Sequence, residues 1–267
     1  MNSKGITKKF FLPIFIIIFI LVAIFIGKTI YSSIYDAQVE KVIGGENTEI
    51  KVTYAAYECE NDNSIAARGY VFLRGFGDHD PGAFNYQKGL IGDVPFLDFD
   101  YDENLLLFEI SNDFVIQFNQ FASNNEFEEI VIIGFSAGGI IASYSANKLI
   151  FSGTIELHTL ASPLNGYHIS DALLDEIQDS RGRPLTGFFR EIGAGFDAFE
   201  SANVKAYHHK NVEDEDLRSY CGDNARYCEP LKIQNNNIPG SKEFFYKQYT
   251  HETIMPAVSK LIIDCHQ

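Results

Sequence analysis

The stretch Glu129-Ile130-Val131-Ile132-Ile133-Gly134-Phe135-Ser136-Ala137-Gly138-Gly139-Ile140-Ile141 decides how this chain is read. Four consecutive β-branched apolar residues, Ile130 to Ile133, suit a short strand buried on both faces of a sheet. From Ala137 to Ile150 the apolar residues Ile140, Ile141, Tyr144 and Leu149 fall at helical spacing. Between the two lies Gly134-Phe135-Ser136-Ala137-Gly138, a Gly-X-Ser-X-Gly. A strand that turns abruptly into a helix carries its Ser hydroxyl to the edge of the sheet, and glycines two residues to either side relieve the crowding. The N–H groups that open the helix are then available to a developing negative charge.

On either side of this stretch, apolar runs of strand character recur at Ile50 to Tyr57, Tyr70 to Leu73, Phe96 to Tyr101, Ile155 to Leu160 and Val204 to His208. Helical spacing intervenes, as in Ile110 to Phe121, where Phe114, Val115, Phe118 and Phe121 form one stripe. Alternation of this kind predicts an α/β fold, a mainly parallel sheet flanked by helices. Apart from the brief Asn235-Asn236-Asn237 there is no repeat, linker or low-complexity tract beyond residue 48, so residues 49–267 form one domain.

On these residues and their order, the chain from about Tyr70 to Ile263 resembles the α/β-hydrolase family. The resemblance implies a nucleophilic Ser136 and a chain order of serine, acid, histidine. An earlier strand of that family ends in a His-Gly-type loop that supplies a second oxyanion N–H. Here the corresponding residues are Phe72-Leu73-Arg74-Gly75-Phe76-Gly77, with Arg74 where His is common, so the expected donors are the backbone N–H groups of Phe76 and Ala137.

A serine hydroxyl is a poor nucleophile until a base takes its proton, and only His251 and His266 follow late enough in the chain. His251 stands just before the apolar-periodic Ile254 to Ile263, like the histidine loop that leads into the family's last helix. His266 is the penultimate residue of an end expected to fray. His79, His158, His168, His208 and His209 read as surface or packing residues. The acid is expected in the turn after the strand that precedes the histidine loop, within Val212-Glu213-Asp214-Glu215-Asp216-Leu217. Spacing favours Asp214, with Asp216 as the alternative. Thr159-Leu160-Ala161-Ser162-Pro163-Leu164-Asn165-Gly166 resembles a turn of lipases and other acyl hydrolases. The insertion after it, 165–203, carries Phe188, Phe189, Phe196 and Phe199, which suit either a small helical cap over an acyl pocket or ordinary packing.

The resemblance therefore implies a serine hydrolase of esters or thioesters, acting on a small or lipid-like acyl substrate without a cofactor. Two alternatives stand beside it: a catalytically idle hydrolase fold used as a surface binding module, and a peptidase or acyltransferase on the same fold. Asp98, Asp100, Asp102 and Glu109 echo calcium-loop spacing, but Glu103 stands where that loop requires Gly. They read instead as a strand end and a helix start.

The rest of the sequence bears on location. Phe10 to Gly27 is an uncharged, strongly apolar run of 18 residues, or about 27 Å as a helix, close to the thickness of a hydrocarbon core. It lacks the small-residue site of a cleaved signal and follows three lysines, which predicts a transmembrane anchor at 10–27 with residues 1–9 in the cytoplasm. Residues 28–48 then form a spacer, and the catalytic domain lies outside the cytoplasm. The net charge is −15, yet residues 1–33 hold four lysines and no acid, which leaves −19 for the remainder. So acidic a body is unsuited to nucleic acid or anionic lipid. Cys59, Cys221, Cys228 and Cys265 all follow the anchor, where thiols can be oxidised. Of the three possible pairings, Cys221 with Cys228 and Cys59 with Cys265 is preferred. Neither pair has metal-ligand spacing, so no metal is expected.

Overall fold

The computed structural model describes residues 57, 67–77, 84–165, 203–219, 230–234, 238 and 240–267. The expected anchor, spacer and cap lie outside these residues, as do the first expected strand up to residue 56, His79, His168 and the cysteines other than Cys265, with both expected pairings. Cys265 itself is disulfide-bonded. Among the described residues, no helix is long and apolar enough to cross a membrane.

Six strands form one sheet in the order β2-β1-β3-β4-β5-β6, every neighbouring pair parallel. They are β1 (Arg68–Leu73), β2 (Phe96–Phe99), β3 (Glu129–Phe135), β4 (Thr154–Leu160), β5 (Val204–Asn211) and β6 (Lys242–Tyr246). The helices are α1 (Asn85–Ile91), α2 (Leu107–Ser123), α3 (Ala137–Ser145), the short α4 (Glu215–Ser219) and α5 (Pro230–Ile233), and α6 (His251–Cys265). Five of the strand runs are where the sequence puts them. The sixth, β6, has no counterpart in the sequence pattern because Lys242-Glu243-Phe244-Phe245-Tyr246 neither alternates cleanly nor forms an apolar run. As an outermost strand of the described sheet it is buried only at Tyr246.

The period-two geometry of a strand divides the core. Tyr70 and Phe72 of β1 and Val131, Ile133 and Phe135 of β3 join Ile254, Val258 and Ile262 of α6 in one cluster. Val71, Leu73, Ile130 and Ile132 point the other way, into a second cluster with Phe114 and Phe118 of α2 and Ile140 and Ile141 of α3. Burying one such Phe or Ile stabilises the fold by roughly 1.5–3 kcal/mol. Accordingly α1 packs on α6 over one face and α2 on α3 over the other. The buried stripe of α2 is Leu107, Ile110, Ser111, Phe114, Phe118 and Ala122, with Val115 and Phe121 at its margin. The chain order reverses between β1 and β3, whose following helices leave toward opposite faces. A crevice therefore opens at the carboxyl ends of these two strands, where doubly wound sheets place their ligands.

Candidate active site

Ser136 stands in that crevice, at the tip of the turn between β3 and α3. Its backbone has φ 49° and ψ −116°, a conformation that L-residues avoid and that costs on the order of 1–3 kcal/mol. Two close approaches show why the flanking residues are glycines. A Cβ on Gly134 would lie 2.7 Å from Gly139 Cα, and one on Gly138 would lie 2.2 Å from the carbonyl oxygen of Leu73. The turn is fixed from a third side by the Ser136 N–H, which donates to Leu160 O at 2.8 Å.

His251 is the first residue of α6, and that helix start is held by Thr250 and Thr253, each accepting the other's backbone N–H at 3.2 and 2.8 Å. Such a cap contributes about 1 kcal/mol and fixes where the first side chain points. The imidazole packs on the Phe135 ring, centroids 4.9 Å apart, and its Nε2 lies 3.0 Å from Ser136 Oγ. On the far side Nδ1 lies 2.7 Å from Asp214 Oδ2. The Asp214 side chain is fully buried, and its Oδ1 accepts the N–H of Leu217 at 2.9 Å, so both carboxylate oxygens are engaged and the group cannot turn away. Asp216, the alternative, is exposed on α4. In the structure β6 intervenes between the strand that carries the acid and the histidine, so Asp214 follows β5 and not the strand directly before His251.

The loop after β1 is braced by charge. Arg74 is buried and donates to Asp100 Oδ1 (2.8 Å), Glu103 Oε1 (2.6 Å), Tyr101 O (2.7 Å) and Gly75 O (3.1 Å), with its guanidinium 4.3 Å from the centre of the Tyr101 ring. Glu103 Oε1 also accepts the N–H of Gly77 at 2.8 Å, tying down both ends of the segment that holds Phe76. This segment lies against the serine turn, since a Cβ on Gly75 would be 3.4 Å from Ser136 Cβ. Phe76 itself is half-buried against the α2–α3 core, and Ala137 opens α3. In sequence, Glu103 features only as the residue that breaks a calcium loop. The available signal was Arg74, because a cation at the end of a buried strand needs a buried anion.

The other acids of that stretch have separate partners: Asp98 pairs with Lys88, Asp102 accepts from Asn104, and Glu109 accepts the N–H of Leu106 at 2.9 Å. His158, His208 and His209 are buried within the sheet, and none lies on the surface. Burial, with the nearby charges of Lys210 and His158, pushes the His208 imidazole down to about 3. His266 is not frayed: it caps the C-terminus of α6 with its side chain 11% exposed. Among the described residues, two groups each bring three metal-capable atoms within 4.8 Å of one another: Asp214, Asp216 and His251, and Glu156, His158 and His266.

No family model matches this chain, and no curated protein matches it. Solved structures do. A protein described as a hydrolase from Agrobacterium vitis S4 superposes with a TM-score of 0.51 at 12% identity, over 75% of this chain and 88% of that one. The esterase of Exiguobacterium antarcticum gives 0.49 at 13% identity, over 74% and 91%. A thioesterase of the prodiginine biosynthetic pathway in Streptomyces coelicolor gives 0.47 at 12% identity, over 80% and 95%. The parallel sheet, its reversal between β1 and β3 and the superposition on the Agrobacterium protein agree in one conclusion: this chain has the α/β-hydrolase fold.

Proposed function

We propose that this protein is a serine hydrolase that cleaves a carboxylic ester or thioester through an acyl-enzyme. The observation that carries the reading is the unbroken chain from Asp214 Oδ2 through His251 to Ser136 Oγ, with spacings of 2.7 and 3.0 Å. A fold alone does not specify chemistry, but this sequence of acceptor, imidazole and hydroxyl is what a hydroxyl needs to become a nucleophile. Ser136 Oγ attacks the acyl carbon while its proton passes to His251 Nε2. The imidazolium so formed is stabilised by Asp214, which holds Nδ1–H toward itself and leaves Nε2 free to accept. The oxyanion is received by the N–H groups of Ala137 and Phe76. On collapse, His251 returns the proton to the departing alcohol or thiol, and water, deprotonated by the same imidazole, releases the acid and restores Ser136. None of these steps calls for a cofactor.

The substrate is a small or lipid-like acyl compound, and residues 10–27 anchor the domain outside the cytoplasm. The acidic body disfavours nucleic acid as a partner. The test is covalent labelling with a fluorophosphonate, followed by peptide mapping. Modification at Ser136 that disappears in His251→Ala supports the proposal. A folded sample that takes up no probe leaves the fold as a binding module.

A further inference from the structure

At the opposite end of the sheet, three side chains meet under the last residues of α6. Glu156 and His158 stand two apart on β4 and so point to the same face, the one α6 covers; His266 comes down from the end of that helix. Glu156 Oε2 lies 3.2 Å from His266 Nε2 and 3.6 Å from His158 Nε2. All three ligand atoms are within 4.8 Å of one another.

His158 is completely buried. Its Nδ1 is 3.1 Å from His209 Nε2, and His209 Nδ1 is 3.1 Å from the Tyr246 hydroxyl, so the polar chain is satisfied on that side. On the other side, His158 Nε2 and His266 Nε2 meet no acceptor in hydrogen-bond geometry and face Glu156 only at ion-pair distance. Two buried imidazole nitrogens thus converge on one carboxylate oxygen without a well-directed hydrogen bond. In the tautomer that donates His158 Nδ1–H to His209, Nε2 turns a lone pair toward Glu156, and in that tautomer the site is arranged to receive a cation.

The spacing fits a tetrahedral ion. Bonds of about 2.05 Å require ligand atoms about 3.3 Å apart, and 3.2 and 3.6 Å bracket that edge. Two imidazoles and one carboxylate suit zinc, whereas calcium and magnesium take oxygen. The supporting bonds are those of a held site: His158 is oriented by His209, and Arg68 donates to the His266 carbonyl at 2.6 Å and to Glu129 at 2.5 Å.

We propose that Glu156, His158 and His266 supply three of the four ligands of a Zn²⁺ ion that pins the end of α6 to β4. Glu156 is paired with Val131, five residues before Ser136, or roughly 16 Å along the strand, so the ion takes no part in the chemistry of the crevice. Its effect there is indirect, because the same helix carries His251 at its start.

The experiment uses the full chain stripped with a chelator, with ZnCl₂ as the probe, titration calorimetry for stoichiometry and thermal melting for stability. Wild type is expected to bind one equivalent and to melt roughly 5–10 °C higher at a hundredfold excess of free ion over Kd. His266→Ala should weaken binding by roughly a hundredfold or more and remove the shift in melting temperature. Glu156→Gln, which keeps the side-chain size, should do the same and carries the test if His266→Ala does not fold. His251→Ala should still bind one equivalent, which separates this site from the Asp214, Asp216 and His251 group. The proposal is overturned if folded wild type takes up no zinc, if both ligand variants bind as wild type does, or if His251→Ala abolishes binding.

Discussion

Asp214→Asn removes one charge from the centre of the proposed relay and keeps the shape of the side chain. Asp214 Oδ1 accepts from Leu217 N–H and Oδ2 from His251 Nδ1–H, both in a buried setting. An Asn has one oxygen for these two donors. If the oxygen stays with Leu217, the amide NH₂ faces His251, and the imidazole must shift its proton to Nε2, where it can no longer accept from Ser136. If the amide turns over, the Leu217 N–H is left unpaired at a cost of about 1–3 kcal/mol. The lost attraction between the carboxylate and the imidazolium adds about 4 kcal/mol for charges some 4 Å apart at an effective dielectric of about 20. The Coulomb loss alone predicts a fall in kcat/KM of about 10³-fold, and loss of the accepting tautomer carries it toward about 10⁴-fold. Initial rates on a nitrophenyl ester measure it, with circular dichroism to establish that the variant is folded. Activity within tenfold of wild type would remove Asp214 from the relay. So would an Asp216→Asn variant that loses as much.

Three further outcomes are expected. Ser136→Gly should abolish ester turnover yet raise unfolding free energy by roughly 1 kcal/mol, because Gly tolerates the positive φ that Ser136 is forced to adopt; denaturant titration that shows a loss of stability would contradict this. Glu103→Gln removes the charge opposite buried Arg74 and loosens the segment that holds Phe76, so kcat should fall about tenfold or more with little change in KM; unchanged kcat would detach this brace from catalysis. His208 stays neutral in the fold but takes up a proton near pH 6.5 once unfolded, so the unfolded state binds more protons and stability declines as pH drops below 6.5, by about 2 kcal/mol at pH 5 from this residue. Urea unfolding at both pH values checks it, and His208→Gln should show a correspondingly shallower decline.

Features that depend on neighbours in the chain are legible in the sequence. Ile130 to Ile133, the glycines around Ser136 and the stripe of α2 are local patterns, and local sterics and periodicity make them strand, turn and helix. The order of these elements then points to the α/β-hydrolase fold and to His251. Features that depend on residues far apart in the chain are settled by the fold. Spacing favours Asp214 over Asp216 by a narrow margin, and it is the arrival of His251 beside the end of β5, 37 residues later, that brings an imidazole against Asp214. β6 has no pattern of its own because it lies at the margin of the described sheet, where one face need not be apolar. Arg74 finds Glu103 across 29 residues, and His266 finds Glu156 across 110, each through the folding of the sheet. Buried polar groups are the part of a sequence least legible in advance, because burial requires a partner and the partner is chosen by topology and not by the adjacent residues.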